Sequence, residues 1–97
     1  MKLALYASTP AATTPNLVAL LDETFVALPT VLVCPLQAGM ALTALRVEAI
    51  IGGETLVVCP ELARPIRRTA LRRMGGLDEE TSRLVMERFL QLLARDE

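Results

Sequence analysis

The sequence predicts a single α+β domain, mainly β, in which several short strands precede one C-terminal helix. Three observations carry this. Apolar and polar residues alternate on both sides of Gly52-Gly53, which is the pattern of a hairpin. Two nearly continuous apolar runs, Leu17 to Leu21 and Thr30 to Cys34, flank Asp22, Glu23 and Pro29 and read as paired strands buried on both faces. Behind Asp78 the apolar period then changes from two to that of a helix.

The first strand is Lys2 to Ala7, where Leu3 and Leu5 alternate with Lys2, Ala4 and Tyr6. Ser8 to Pro15, rich in Thr, Ala and Pro, is a loop. The strand pair of Leu17 to Leu21 with Thr30 to Cys34 closes in Pro35-Leu36. Gln37 to Thr43, which holds Gly39, forms a connection with room for one short helical turn. From Leu45 to Ile51 the alternation returns, Gly52-Gly53 supplies the positive φ angles of a tight turn, and Thr55 to Cys59 runs back as the partner strand. Pro60 and Pro65 bracket a connection. Ile66 to Leu71 follows as a short basic edge strand, and Gly75-Gly76 breaks whatever precedes the helix.

In the helix, Asp78 is placed to cap the N-terminus, with Glu79 and Glu80 in the first turn opposing the positive helix end. Val85, Phe89, Leu92 and Leu93 share one face, widened by Leu84, Met86 and Leu90, with Arg83, Glu87 and Gln91 opposite. A stripe of that width either packs wholly into the core or covers a sheet and leaves Met86, Leu90 and Leu93 for a partner chain.

At 97 residues the chain suits one core, so residues 1–97 are read as one domain. Hydrophobic residues make up 53% of it, more than so small a domain easily buries, and part of that surface is expected to face a second copy. Mean hydropathy is +0.44. Aromatics are 3% and Trp is absent, which leaves aliphatic side chains to fill the core and disfavours base-stacking platforms. The net charge of -1 argues against a generally basic nucleic-acid binder. Locally, however, Arg64, Arg67, Arg68, Arg72 and Arg73 crowd together, either as a patch for an acidic peptide or a phosphate backbone or as a solvated edge.

The apolar run after Lys2 stops at Ser8, too short for a secretory signal. No run reaches the length of a membrane span, so a cytoplasmic protein with no membrane contact is expected. Cys34 and Cys59 each precede a proline. With no histidine in the chain they do not complete a zinc site, and they read as small buried hydrophobes; a disulfide is not expected in a reducing cytoplasm. No metal or cofactor is expected.

Several segments are similar to the CcdB and MazF/PemK superfamily of toxins from bacterial type II toxin–antitoxin modules, and closer to CcdB over the whole chain. Met1-Lys2-Leu3-Ala4-Leu5-Tyr6 resembles the CcdB first strand, and Leu17 to Asp22 the next, with its acidic end. Thr30 to Leu36 resembles the strand that closes in Pro-Leu. Ile51-Gly52-Gly53-Glu54 is similar to the Gly-Glu hairpin, and Cys59-Pro60-Glu61-Leu62-Ala63 to the segment after it. Leu71 to Leu77 resembles the last strand, leading into the final helix.

The resemblance implies an SH3-like, bent antiparallel sheet or barrel with a C-terminal helix, a homodimer, and an antitoxin whose flexible acidic tail wraps the toxin. It also implies plasmid maintenance as the setting, and DNA binding by the pair rather than by this chain without its antitoxin. The functional residues of the two branches carry over poorly. MazF-type ribonucleases have Arg-Pro before the second strand and Thr after Pro-Leu, where this chain has Pro15-Asn16 and Gln37. With no histidine as general base, RNA hydrolysis has no visible catalyst unless Arg67 or Arg68 with Thr69 supplies one. CcdB-type toxins poison DNA gyrase through an apolar C-terminus, where this chain ends Ala94-Arg95-Asp96-Glu97. Burying those charges unpaired would cost several kcal/mol. The resemblance therefore points to a toxin acting by binding a cellular target, gyrase among the candidates. The alternatives are a MazF-like endoribonuclease with a non-standard site, and a toxin fold that has lost toxicity and serves as an interaction or regulatory module.

Overall fold

A computed structural model describes residues 2–20 and 29–94 of the chain. They form a small α+β protein, mainly β, whose antiparallel sheet curls into a half-barrel beside one C-terminal helix. The strands are β1 (Ala4–Ala7), β2 (Leu17–Ala19), β3 (Thr30–Gln37), β4 (Val47–Ile51), β5 (Glu54–Val58), β6 (Arg64–Arg67) and β7 (Arg72–Gly76), and the helix is α1 (Glu79–Ala94). Neighbours run β4-β5-β3-β2-β1-β7, with β6 added to β3.

The long strand β3 makes this topology possible. On one edge it pairs with β2, Cys34 opposite Val18. On the other it pairs first with β6, Val31 opposite Ile66, and then with β5, Leu36 opposite Val58. The Leu32 carbonyl accepts from Leu20 N at 2.9 Å, and Leu36 N donates to the Asn16 carbonyl at 2.9 Å, so both turn their backbone groups towards β2. By alternation, Pro35 turns towards the opposite edge. Its missing N–H falls in the gap between β6 and β5, where no donor is needed, and its carbonyl accepts from Cys59 N at 3.0 Å. This is why the strand passes through Pro35 to Gln37 instead of ending at Cys34, as the sequence suggested.

Curling is required by chain length. If the sheet were flat, β6 and β7 would lie four strand spacings apart, roughly 19 Å. The chain from Arg67 to Arg72 spans roughly 17 Å even fully extended, and part of it is wound into a 3₁₀ turn at Arg68–Ala70. The edges must therefore bend towards each other. Ile66 and Leu71, one from each side of that turn, pack on the same buried cluster of Ala4, Tyr6, Leu17, Ala19, Val31 and Val33. The opposite face of β1, β2 and β3 carries Leu3, Leu5, Val18, Leu20, Cys34 and Leu36, which join Val47, Ala49, Leu56 and Val58 of the hairpin and Val85 of α1.

The β4–β5 hairpin turns through Gly52 and Gly53, at φ +57° and +84°, as expected. Gly75-Gly76 ends β7, the element before the helix, and Gly75, at φ +137°, lies at the register shift of a bulge against β1. Two other expectations are corrected. Ile66 to Leu71 is not one edge strand; the chain forms β6, the 3₁₀ turn and β7. No helical turn forms between Gln37 and Thr43. The paired strands appear as β2 and β3, although Leu21, Asp22 and Glu23 lie outside the described residues.

Asp78 caps α1, its Oδ2 accepting from Thr81 N at 3.0 Å and from the Thr81 hydroxyl at 2.9 Å. These bonds hold its carboxyl below the usual value of 3.8. Val85 is fully buried, and Leu84, Met86 and Phe89 pack on the core, but Leu93 is 55% exposed. At 100° per residue Leu93 lies about 80° around the helix from Val85, too far to share its buried stripe.

Candidate functional site

The arginine segment is divided by the fold. Arg64 and Arg67 are exposed on β6, Arg68 is half-buried at the start of the 3₁₀ turn, and Arg72 and Arg73 are exposed on β7. Arg72 has a structural task, since its guanidinium donates to the Ala12 carbonyl and ties the β1–β2 loop to β7. Arg68 and Arg73 each make further interactions.

Register explains what gathers around Arg67. Arg68 N donates to the Pro29 carbonyl at 2.9 Å, so Thr30 and Arg67 are the adjacent non-bonded pair, whose side chains share a face at close range. Because the strand ends there, Arg68 and Thr69 leave the alternation and turn to the same place. Pro29, Thr30, Arg67, Arg68 and Thr69 line one depression of about 630 Å³. Two guanidinium groups and two hydroxyls thus converge, without an acidic side chain among the described lining residues. Such groups are the donor types that pair with carboxylates and phosphates. Arg67, Arg68 and Thr69, the residues weighed for catalysis, are brought together, while Arg72 and Arg73 belong to the other edge.

By the same alternation, Pro65 and Arg67 turn their backbone groups away from β3. Pro65 thereby removes a donor from the free edge, leaving β6 a poor template for strand addition.

The remaining sequence candidates have other roles. Asn16, which with Pro15 stands where the ribonucleases have Arg-Pro, clasps the β1–β2 loop: Ser8 N donates to its Oδ1 at 3.0 Å and its Nδ2 donates to the Ser8 hydroxyl at 2.8 Å. Gln37 is exposed at the end of β3. Cys34 and Cys59 are both fully buried free thiols. Burial, with Cys59 and Glu61 nearby, pushes Cys34 up to about 12. Burial also raises Cys59, against the opposing pull of Arg46. Neither thiol is ionised near neutrality, so neither serves as a nucleophile.

A second surface runs along α1, where Glu79, Glu80, Arg83, Met86, Glu87 and Leu90 line a groove of about 720 Å³. Arg83 spans it with ion pairs to Glu80 at 3.2 Å and to Glu87 at 2.5 Å. Met86 and Leu90 are its apolar members; Leu93 lies beyond it.

The sequence reading missed two polar contacts. Arg46 Nε meets Glu61 Oε2 at 2.8 Å, and Arg46 Nη1 donates to the Ala41 carbonyl at 2.9 Å, pinning the turn after β5 to the loop before β4. Ser82, fully buried, accepts from Leu3 N at 3.0 Å and donates to the Leu77 carbonyl at 3.3 Å. No signal marked the first pair. The second was visible only as a serine on the apolar stripe one turn before Val85.

Among the described residues, no group of three Cys, Asp or Glu side chains is placed to hold a metal ion, and no helix is long and apolar enough to cross a membrane. The fold and site define a small half-barrel protein with a depression lined by arginine and threonine on one sheet edge. No protein-family model matches the chain, and no curated protein matches it.

Proposed function

We infer that this chain is a CcdB-like toxin of a type II toxin–antitoxin pair, working as a cytoplasmic homodimer that binds its cellular target and is neutralised by an acidic antitoxin tail. The observation that carries this reading is the depression of Thr30, Arg67, Arg68 and Thr69 on a sheet edge blunted by Pro65. It offers forked donors to carboxylates without offering a strand template. The bent antiparallel sheet, the Gly52-Gly53 hairpin and the terminal helix are also of the kind the resemblance implies.

The ribonuclease alternative has one observation in its favour, the convergence of Arg67, Arg68 and Thr69. Against it, the described lining holds no group that titrates near neutrality to accept a proton. Binding is the better reading.

Replacing Arg67 and Arg68 together by alanine is expected to slow association with the acidic tail of its antitoxin and to flatten its salt dependence, because steering charges act mainly on the on-rate. Surface binding at two salt concentrations measures this, and unchanged kinetics would return the arginines to a solvated edge. Sedimentation equilibrium at micromolar concentration is expected to give twice the monomer mass, with Leu90 and Leu93, 57% and 55% exposed, as the apolar surface to cover. A strictly monomeric protein would contradict the dimer.

A further inference from the structure

We propose that the outer edge of β4 is a docking edge for an extended, basic segment of another protein, which adds to the sheet beside Glu48 and Ile50. The proposal uses a surface that the toxin reading leaves idle, and it requires neither a toxin activity nor an antitoxin.

Three of the described strands carry an open edge, and two of these edges are spoiled for pairing. β6 is blunted by Pro65, and β7 carries the bulge at Gly75. β4 ends the sheet on its other side and holds no proline, no glycine and no register shift. Its register shows which groups are open. The two-residue turn at Gly52-Gly53 makes Ile51 and Glu54 a hydrogen-bonded pair. By alternation Ala49 with Leu56 and Val47 with Val58 are bonded pairs as well, so Glu48 and Ile50 turn their N–H and C=O groups away from β5. These two donors and two acceptors have no partner among the described residues. β4 and β5 stand at the Gln37 end of β3, whereas Leu20 and Pro29, the neighbours of residues 21–28, lie at the other end.

Side chains decide what fits. Val47 and Ala49 are buried, while Glu48 and Ile50 face outward. Ile50, 71% exposed, is the most exposed of the large apolar side chains described. Glu48 makes no ion pair among the described residues, and neither β4 nor β5 carries a lysine or arginine. An added strand places one residue opposite Glu48, where a cation is favoured, and another two positions along opposite Ile50, where a β-branched apolar side chain is favoured. Backbone bonds then supply attraction, and the alternate side chains supply selection. The same carboxylate guards the edge against a second copy. In the two-fold register that pairs all four outward groups, Glu48 of each copy lies against Ile50 of the other, and neither charge meets a cation. The complementary occupant is a cationic segment.

The test begins with hydrogen exchange of the free protein, in which the Glu48 and Ile50 amides should exchange faster than those of Ala49 and Ile51. Isotope-labelled protein is then titrated with a capped heptapeptide of threonines that carries lysine at its second and sixth positions and valine at its fourth. Saturable amide shifts centred on Glu48 to Ile50 are expected, with slowed exchange of the Glu48 and Ile50 amides. Replacing both lysines by glutamate should weaken binding by roughly fivefold, and Glu48→Lys should reverse that preference. The peptide N-methylated on its pairing edge should lose saturable binding, since the backbone bonds are then blocked. Glu48 is exposed, and an unchanged amide spectrum away from β4 confirms that the variant folds. Slow exchange of Glu48 and Ile50 in the free protein, an unchanged preference in Glu48→Lys, or equal binding of the N-methylated peptide would each overturn the proposal. Protection of these two amides that rises with protein concentration alone would assign the edge to a second copy and overturn it as well.

Discussion

Leu36→Ala is expected to lower the free energy of unfolding by about 2–5 kcal/mol, the range for removing a leucine side chain from a packed core. Leu36 is 2% exposed in the larger cluster, at the point where β3 changes partner from β6 to β5. Its side chain therefore sits between the main sheet and the hairpin, and neither can move into the cavity without breaking a pairing. A domain of this size has about 5–15 kcal/mol in total, so the variant should lose a large share of it. Urea unfolding should show a lower midpoint at nearly unchanged slope, whereas Leu36→Met should cost less than about 1.5 kcal/mol. A loss below about 1 kcal/mol for the alanine variant would mean that the two parts of the sheet do not share this core.

Ser82→Ala is expected to cost about 1–3 kcal/mol although it removes a single oxygen. The hydroxyl is the acceptor for Leu3 N at 3.0 Å, at a site with 0% exposure. Its loss leaves a buried backbone donor without a partner, and desolvation of that donor is the main cost. Leu77 N donates to the Leu3 carbonyl at 2.8 Å, so the same serine sits where the first strand, the end of the last strand and the first turn of the helix meet. Hydrogen exchange at Leu3 should quicken more than at Leu5, and thermal unfolding should shift down by several degrees. An unchanged Leu3 exchange rate would show that another group accepts the bond.

These two positions also mark how far the sequence could be read. Local periodicity was sufficient for β1, the β4–β5 hairpin around Gly52-Gly53, and α1 behind its Asp78 cap, because each is written in neighbouring residues. Pro35 misled, because a proline inside a strand looks like an end until its missing donor is seen to fall between two partner strands. The arginine segment misled for a related reason. From Arg64 to Arg73 the residues are close in sequence, but the strand order places β6 and β7 on opposite edges, and of these arginines Arg67 and Arg68 are the described ones that share a depression. The candidate site was thus legible in its residue types and not in its membership. Thr30 was missed altogether, since it reaches Arg67 only through the register of β3 on β6. Ser82 and the Arg46–Glu61 pair join segments far apart in the chain, which periodicity does not register.

The central claim, that this half-barrel protein is the toxin of a pair that acts by binding, is tested most directly by the growth of a bacterial culture in which the chain is induced alone and together with the reading frame next to it. The account predicts that the neighbouring frame encodes an acidic-tailed protein, that induction of this chain alone arrests growth, that co-expression relieves the arrest, and that cellular RNA stays intact throughout. Undisturbed growth at a verified level of folded protein would contradict it, and arrest accompanied by specific RNA cleavage that Arg67→Ala abolishes would replace binding with catalysis.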